Sequence, residues 1–174
     1  IRIPAQIAFA VKGYHLLNTD TKMNGSLRIA SNIISLDYLW NIIRVQGGAY
    51  GAGFPVGRDG GMICYSYRDP SPARSLQVYD ALSDFICDFC ESEDDPDKFI
   101  ISAIAATEPL RTPADQGTVA DELWFSGVTE KDRILTRRQM LSSNREALIK
   151  WCSVLDKLAE DGAVCVVGYD AALA

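Results

Sequence analysis

The sequence predicts an α+β domain, a mostly antiparallel sheet covered by helices, from three observations. Apolar and polar residues alternate near its start, an apolar stripe at helical spacing follows, and a glycine-rich hairpin then leads into a run of helices closed by one apolar strand. With 174 residues, 48% of them hydrophobic, the chain is long enough to bury a sizeable core as a single domain over 1–174.

Ala5, Ile7, Phe9 and Val11 alternate with Gln6, Ala8, Ala10 and Lys12, the period of a half-buried strand. Asn18 to Met23 is polar and turn-like. From Gly25 to Arg44 the period changes: Ile29, Ile33, Leu36, Trp40 and Ile43 recur at spacings of four and three, so one stripe of a long helix faces the core. Gly47 and Gly48 end that helix. Ala49 to Pro55 reads as a strand and Gly57 to Gly61 as a turn cluster. The next strand sets Ile63, Tyr65 and Tyr67 against Met62, Cys64 and Ser66, completing an antiparallel hairpin. Ser71 followed by Pro72 opens a helix whose stripe is Leu76, Tyr79, Leu82, Ile86 and Phe89. The acidic run from Glu91 to Asp97 lacks the central glycine and spaced oxygens of a calcium loop, and reads as Asp95-Pro96 capping a helix. Further helices are expected over 97–109, 113–125, 130–141 and 144–160, and a last strand over 162–168.

Composition excludes several functions. A net charge of −6 argues against a nucleic-acid partner, whose phosphates call for clustered Lys and Arg. No apolar run approaches the roughly 20 residues of a membrane helix, so no membrane partner is expected. His15 is the only histidine, which excludes a self-contained HExxH or HxxEH zinc site, and it reads as a surface residue at a strand end. No metal or cofactor is therefore expected on this chain. The 5 cysteines are an odd number in apolar surroundings, pointing to free thiols in an intracellular, reducing compartment, cytoplasm or organelle matrix. Cys87 and Cys90 are spaced as half a zinc ribbon or a redox pair, but with no second pair, no histidine nearby and a helical pattern around them they read as core. Ser31, Ser142 and Ser143 lack a nucleophile setting, and Arg137-Arg138 reads as a solvated helix face. The chain starts at Ile1 rather than Met and reads as a piece of a longer protein.

The most unusual stretch is Gly47 to Gly53, with glycine at 47, 48, 51 and 53. It follows a helix and enters a strand, the reverse of a dinucleotide-binding turn. So many glycines mark either a close approach to the backbone or a plain bend with no ligand. Arg44 before them and Tyr50 among them are hydrogen-bond donors, neither bases nor nucleophiles at neutral pH. Together they suit a place where a peptide-like backbone is gripped.

The stretch from Leu39 to Gly51, with Arg44, Gly47-Gly48 and Tyr50 at its centre, resembles the C-terminal signature of pitrilysin-type (M16 family) zinc metallopeptidases, specifically the presequence-protease branch. Similarity extends to the Arg68-Asp69-Pro70 exit of the hairpin and to Pro109–Gly117. The resemblance implies the last, metal-free domain of a four-domain protein whose halves close around a peptide chamber, with zinc held in the N-terminal half of the parent. By the same resemblance Arg44 and Tyr50 are the catalytic contributors of this domain, Arg44 binding a substrate carbonyl and Tyr50 donating to the developing oxyanion. Gly47, Gly48 and Ala49 would border the substrate backbone beside them. Peptide substrate and the zinc-bearing half are the implied partners, and the fragment alone would be inactive. A non-catalytic peptide-binding or structural relative with the same fold is the alternative.

Overall fold

In the computed structural model, which describes residues 1–4 and 6–173, β1 (Phe9–His15) runs through the middle of an antiparallel sheet. It is flanked by β3 (Gly61–Tyr67) and β4 (Ala163–Val167), and β2 (Gly51–Gly53) adds to the outer side of β3, for the order β2-β3-β1-β4. Register pairs Phe9 with Tyr67 and Val167, and Val11 with Tyr65 and Cys165. The expected α+β class is what the chain adopts.

The two faces of the sheet differ sharply. Ala8, Ala10, Met62, Cys64 and Ser66 are buried beneath helices, whereas Phe9, Val11, Tyr65 and Tyr67 are half-buried and Ile63 is 46% exposed. The more apolar register of β1 thus lies on the open side (Ala5, assigned to the same alternation, lies outside the described residues). Small alanines on the other side let α2 (Pro72–Asp80) and α8 (Cys152–Asp161) approach β1 closely. Lys12, buried there as well, is tolerated because its ammonium meets the Asp80 carboxylate and the Ala159 carbonyl.

Asn24 caps α1 (Gly25–Ile33) through its Oδ1, which accepts from the Ser26 N–H. The helix then continues as a 13-residue π-helical segment, Ile34–Gln46. The wider i→i+5 winding shifts the buried stripe out of the expected phase. Ile29, Ile33, Ile34, Leu39 and Ile43 are buried, but Leu36 is 48% and Trp40 40% exposed, which corrects the stripe read from a uniform helical period.

The expected helix after Ser71 is two, α2 and α3 (Leu82–Glu91), joined by a turn at Ala81. α4 (Asp97–Thr107), α5 (Pro113–Phe125) and α6 (Glu130–Leu141) follow. The last two sit where expected because Thr112 with Asp115, and Thr129 with Asp132, form capping boxes. The expected helix over 144–160 is likewise divided, into α7 (Arg145–Ile149) and α8, since Trp151 turns inward and donates from its indole to Ser26 Oγ at 2.9 Å. α9 (Asp170–Leu173) follows β4. No helix of the described residues is long and apolar enough to cross a membrane.

Ser71 does not cap α2. Buried Asp69 does so instead, accepting from the Ser71 N–H at 2.8 Å and from the hydroxyls of Ser66 at 2.5 Å and Ser75 at 2.6 Å. Asp69→Ala strands those donors and is expected to lower stability by about 1–3 kcal/mol, whereas Ser71→Ala is near neutral. Urea unfolding midpoints of the two variants check this ordering.

The cysteines are free thiols. Cys87 lies beside Cys152, with sulfurs 2.8 Å apart, rather than beside Cys90. Burial, and then the hydrogen bond and charge of Cys87, push the Cys152 thiol up to about 12. Burial also pushes Cys64 far above the ordinary thiol range. Because the thiolate is the reacting species, burial keeps Cys64 and Cys152 in the unreactive thiol form at pH 8. Iodoacetamide at that pH is expected to modify exposed Cys165 first and to spare Cys64 and Cys152 until unfolding, as mapped by peptide mass spectrometry.

Candidate functional site

Arg44 sits in the last turn of the π-helical segment, and Gly48, with φ of +79°, turns the chain toward β2. Gly48 N–H donates to the Arg44 carbonyl at 3.0 Å and Ala49 N–H to the Ile43 carbonyl at 3.1 Å, so the helix end is closed by its own backbone. Tyr50 N–H donates to the Tyr67 carbonyl at 3.1 Å, joining the turn to β3. Ala49 itself points into the core and is buried. The N–H groups of Gly48, Ala49 and Tyr50 are therefore all committed within the fold.

Two groups stay available. The Arg44 guanidinium stacks 3.8 Å from the Trp40 ring centroid, and its Nε donates to the Tyr50 carbonyl at 3.0 Å. Its terminal amino groups make no hydrogen bond to the described residues. The Tyr50 hydroxyl makes none either, and this side chain is 59% exposed. The phenol ring is held at the side, 5.2 Å from the Tyr67 ring and 5.4 Å from the Arg68 guanidinium. The structure thus brings Arg44 and Tyr50 together, with a donor on each reaching solvent.

Tyr67 and Arg68 were not singled out by sequence reasoning as neighbours of Tyr50. The alternation of Ile63, Tyr65 and Tyr67 was visible, but only the register with β2 puts Tyr67 against Tyr50. Arg68 is the one positive-φ residue other than glycine among the described residues, at φ of 47°, a backbone state that clusters at functional positions.

The glycines divide by cause. A Cβ on Gly51 would run into the Tyr67 ring and one on Gly53 into the Tyr65 ring, so these two make room for β3 side chains. A Cβ on Gly47 would sit 2.5 Å from the Ile43 carbonyl oxygen. Of these four, only Gly48 could take a Cβ without a clash, its nearest contact being Pro70 Cγ at an ordinary 3.7 Å.

His15 lies at the end of β1, where Nδ1 accepts from the Leu17 N–H at 3.0 Å and Nε2 faces Asp59 at 3.6 Å. Among the described residues no group of three or more His, Cys, Asp or Glu could hold a metal ion. Arg137 and Arg138 are exposed on α6, as a solvated face requires, and Arg137 pairs with Glu108 at the surface.

A sheet with helices on one face, a helix end meeting a sheet edge, and paired donors at that junction define the class to which comparison with known proteins then adds detail. The PreP C-terminal domain family matches residues 1–170, and the chain belongs to that family. Protein HypA of Clostridium perfringens is 30% identical over 94% of this chain. Presequence protease 1, chloroplastic/mitochondrial, of Arabidopsis thaliana is 28% identical over 96%. The chain spans only 17% and 16% of the lengths of these two relatives. Among solved structures, a putative zinc protease from Bordetella pertussis Tohama I aligns with a TM-score of 0.69 over 94% of both chains at 12% identity. A peptidase M16 inactive domain from Pseudomonas fluorescens gives 0.67 over 97% of this chain and 42% of that one, also at 12% identity. These last two likenesses concern the fold.

Backbone geometry separates the two turn glycines. Gly47→Ala forces a Cβ against a carbonyl, while Gly48→Ala meets free space and carries only the left-handed strain of about 1–2 kcal/mol. The expected order of thermal stability is therefore wild type, then Gly48→Ala, then Gly47→Ala, read by calorimetry. A β-branched residue at 48 adds to that strain, so valine is expected to cost stability there even though space is free.

Proposed function

We propose that this chain is the last, metal-free domain of a four-domain zinc metalloendopeptidase of the presequence-protease kind, which degrades short unfolded peptides in a closed chamber. The observation that carries the reading is the pairing of Arg44 and Tyr50, each anchored at one end and presenting a free donor at the other. Membership of the PreP C-terminal domain family supports it. Zinc would belong to the N-terminal half of the parent, the partner that closes the chamber. Among the described residues of this chain no set of His, Cys, Asp or Glu is grouped to hold it.

What this domain does is bind and polarise. The terminal amino groups of Arg44 donate to a substrate carbonyl already in the ground state. The Tyr50 hydroxyl donates to the oxyanion that forms on the scissile carbonyl, where a preplaced donor counts most. Neither residue takes up a proton. Gly47 and Gly48 form the adjoining edge, with Gly48 the position where a substrate backbone passes closest, while buried Ala49, expected to border the substrate as well, instead holds the turn from the core side. The open face of the sheet, with Phe9, Val11, Tyr65 and Tyr67, offers contact for apolar peptide side chains. Free cysteines fit a reducing intracellular compartment, and the plant relative's name adds an organelle setting.

In the full-length parent, Tyr50→Phe is expected to lower kcat by about 10²–10³-fold with little change in KM, because an oxyanion donor acts in the transition state. Arg44→Ala is expected to raise KM as well as lower kcat. Steady-state kinetics on an unstructured peptide, normalised to folded protein, reads both. Wild-type kcat/KM in Tyr50→Phe would remove the assignment. A parent whose upstream HxxEH is degraded and which cuts no peptide would establish the non-catalytic alternative.

A further inference from the structure

We propose a second ligand site in this domain, a cleft lined by Arg28, Arg58 and Arg111 that takes the C-terminal carboxylate of a peptide ending in an apolar residue. The cleft has a volume of about 520 Å³ and lies where the start of α1 meets α5 and α6. Arg44 stands at the opposite end of the same long helix, so this is a separate place on the domain.

Three cations at this cleft lack a close counterion. Among the described residues Arg28, Arg58 and Arg111 have no carboxylate within ion-pair distance, and their side chains make no hydrogen bond. The acids that line the cleft are already engaged. Glu108 pairs with Arg137 and Glu130 with Arg133, while Asp132 accepts from the backbone N–H and the hydroxyl of Thr129. Arg28 is half-buried, and burial followed by the charge of Arg58 weakens its hold on its proton. Two guanidiniums that disfavour each other, in a chain of net charge −6, make a local field that an incoming anion relieves.

The rest of the lining selects the kind of anion. Val119, Leu123, Val128 and Met140 supply an apolar wall beside the arginines. Such a wall gains nothing from a bare phosphate and suits a carboxylate carried on an apolar body. Guanidinium forks match the two oxygens of a carboxylate. That the body is a peptide rests on the peptidase reading above. The site itself rests on the unpaired arginines.

Isothermal titration of the full-length protein with N-acetyl-Ala-Leu-Phe, as the free acid and as its C-terminal amide, tests the proposal, with peptide integrity followed by mass spectrometry. The free acid is expected to bind at least about tenfold more tightly than the amide. Arg58→Met, which removes an exposed side chain on the hairpin turn and leaves the core untouched, is expected to weaken the free acid by about tenfold, and Arg138→Met to leave it unchanged. Equal affinity of acid and amide, or unchanged affinity in Arg58→Met, would overturn the site. Octanoate or inorganic phosphate binding as tightly as the peptide acid would overturn the assignment to a peptide terminus. The readout is binding without turnover, so failure here leaves the Tyr50 kinetics standing, and failure there leaves this titration interpretable.

Discussion

The arrangement depends on how a long helix is made to stop against the edge of a sheet. Gly48 adopts a left-handed conformation, its own N–H and that of Ala49 donate back to the Arg44 and Ile43 carbonyls, and Tyr50 is immediately bonded to β3. No other residue type accepts that conformation so readily. Because the closure uses the backbone, the side chains at both ends of the turn are spared for other contacts. Arg44 is fixed by its Nε and by the Trp40 ring under its guanidinium, and Tyr50 by its ring. A junction of this kind presents two polar tips without using them to hold itself together.

The π-helical winding contributes to the same end. With α-helical winding throughout, Trp40 would have joined the buried stripe, as its spacing from Ile33 and Leu36 suggested. The wider turn gives its place in the core to Leu39 and leaves Trp40 at the surface, where it carries the Arg44 guanidinium at 3.8 Å. π-type turns cost hydrogen-bond quality and are retained mostly near functional positions. Here the benefit is visible as a flat aromatic support under a cation.

The elements legible in the sequence were those whose signals are local. Thr112-Pro113 and Thr129 with Asp132 state the starts of α5 and α6, and Gly47-Gly48 states the end of the long helix. Splits at Ala81 and at Lys150-Trp151 were hidden because the apolar spacing runs through both without a proline or glycine. Trp151 turns inward to reach Ser26, a partner 125 residues away that no local pattern reveals. The open face of the sheet was hidden for a similar reason. Alternation gives two faces, but only the packing of α2 and α8 on Ala8, Ala10 and Lys12 decides which one is covered. At the candidate site, resemblance and residue chemistry single out Arg44 and Tyr50, whereas the contact of Tyr67 and Arg68 with Tyr50 follows only from the strand register.

Preorganisation of a donor requires a chain of support that ends in a rigid core, and one can be followed here. The Tyr50 ring leans on Tyr67 and on the Arg68 guanidinium. Arg68 keeps its left-handed backbone because the next residue, Asp69, is locked by three hydrogen bonds to Ser66, Ser71 and Ser75. Ser66 belongs to β3 and Ser75 to α2, and α2 packs on β1 through the fully buried Tyr79. An exposed phenol is in this way tied through two residues to the centre of the sheet. A buried carboxylate whose acceptor sites are filled by serines is a costly feature in a fold of this size unless the turn it holds matters. What it holds is the strained residue beneath Tyr50.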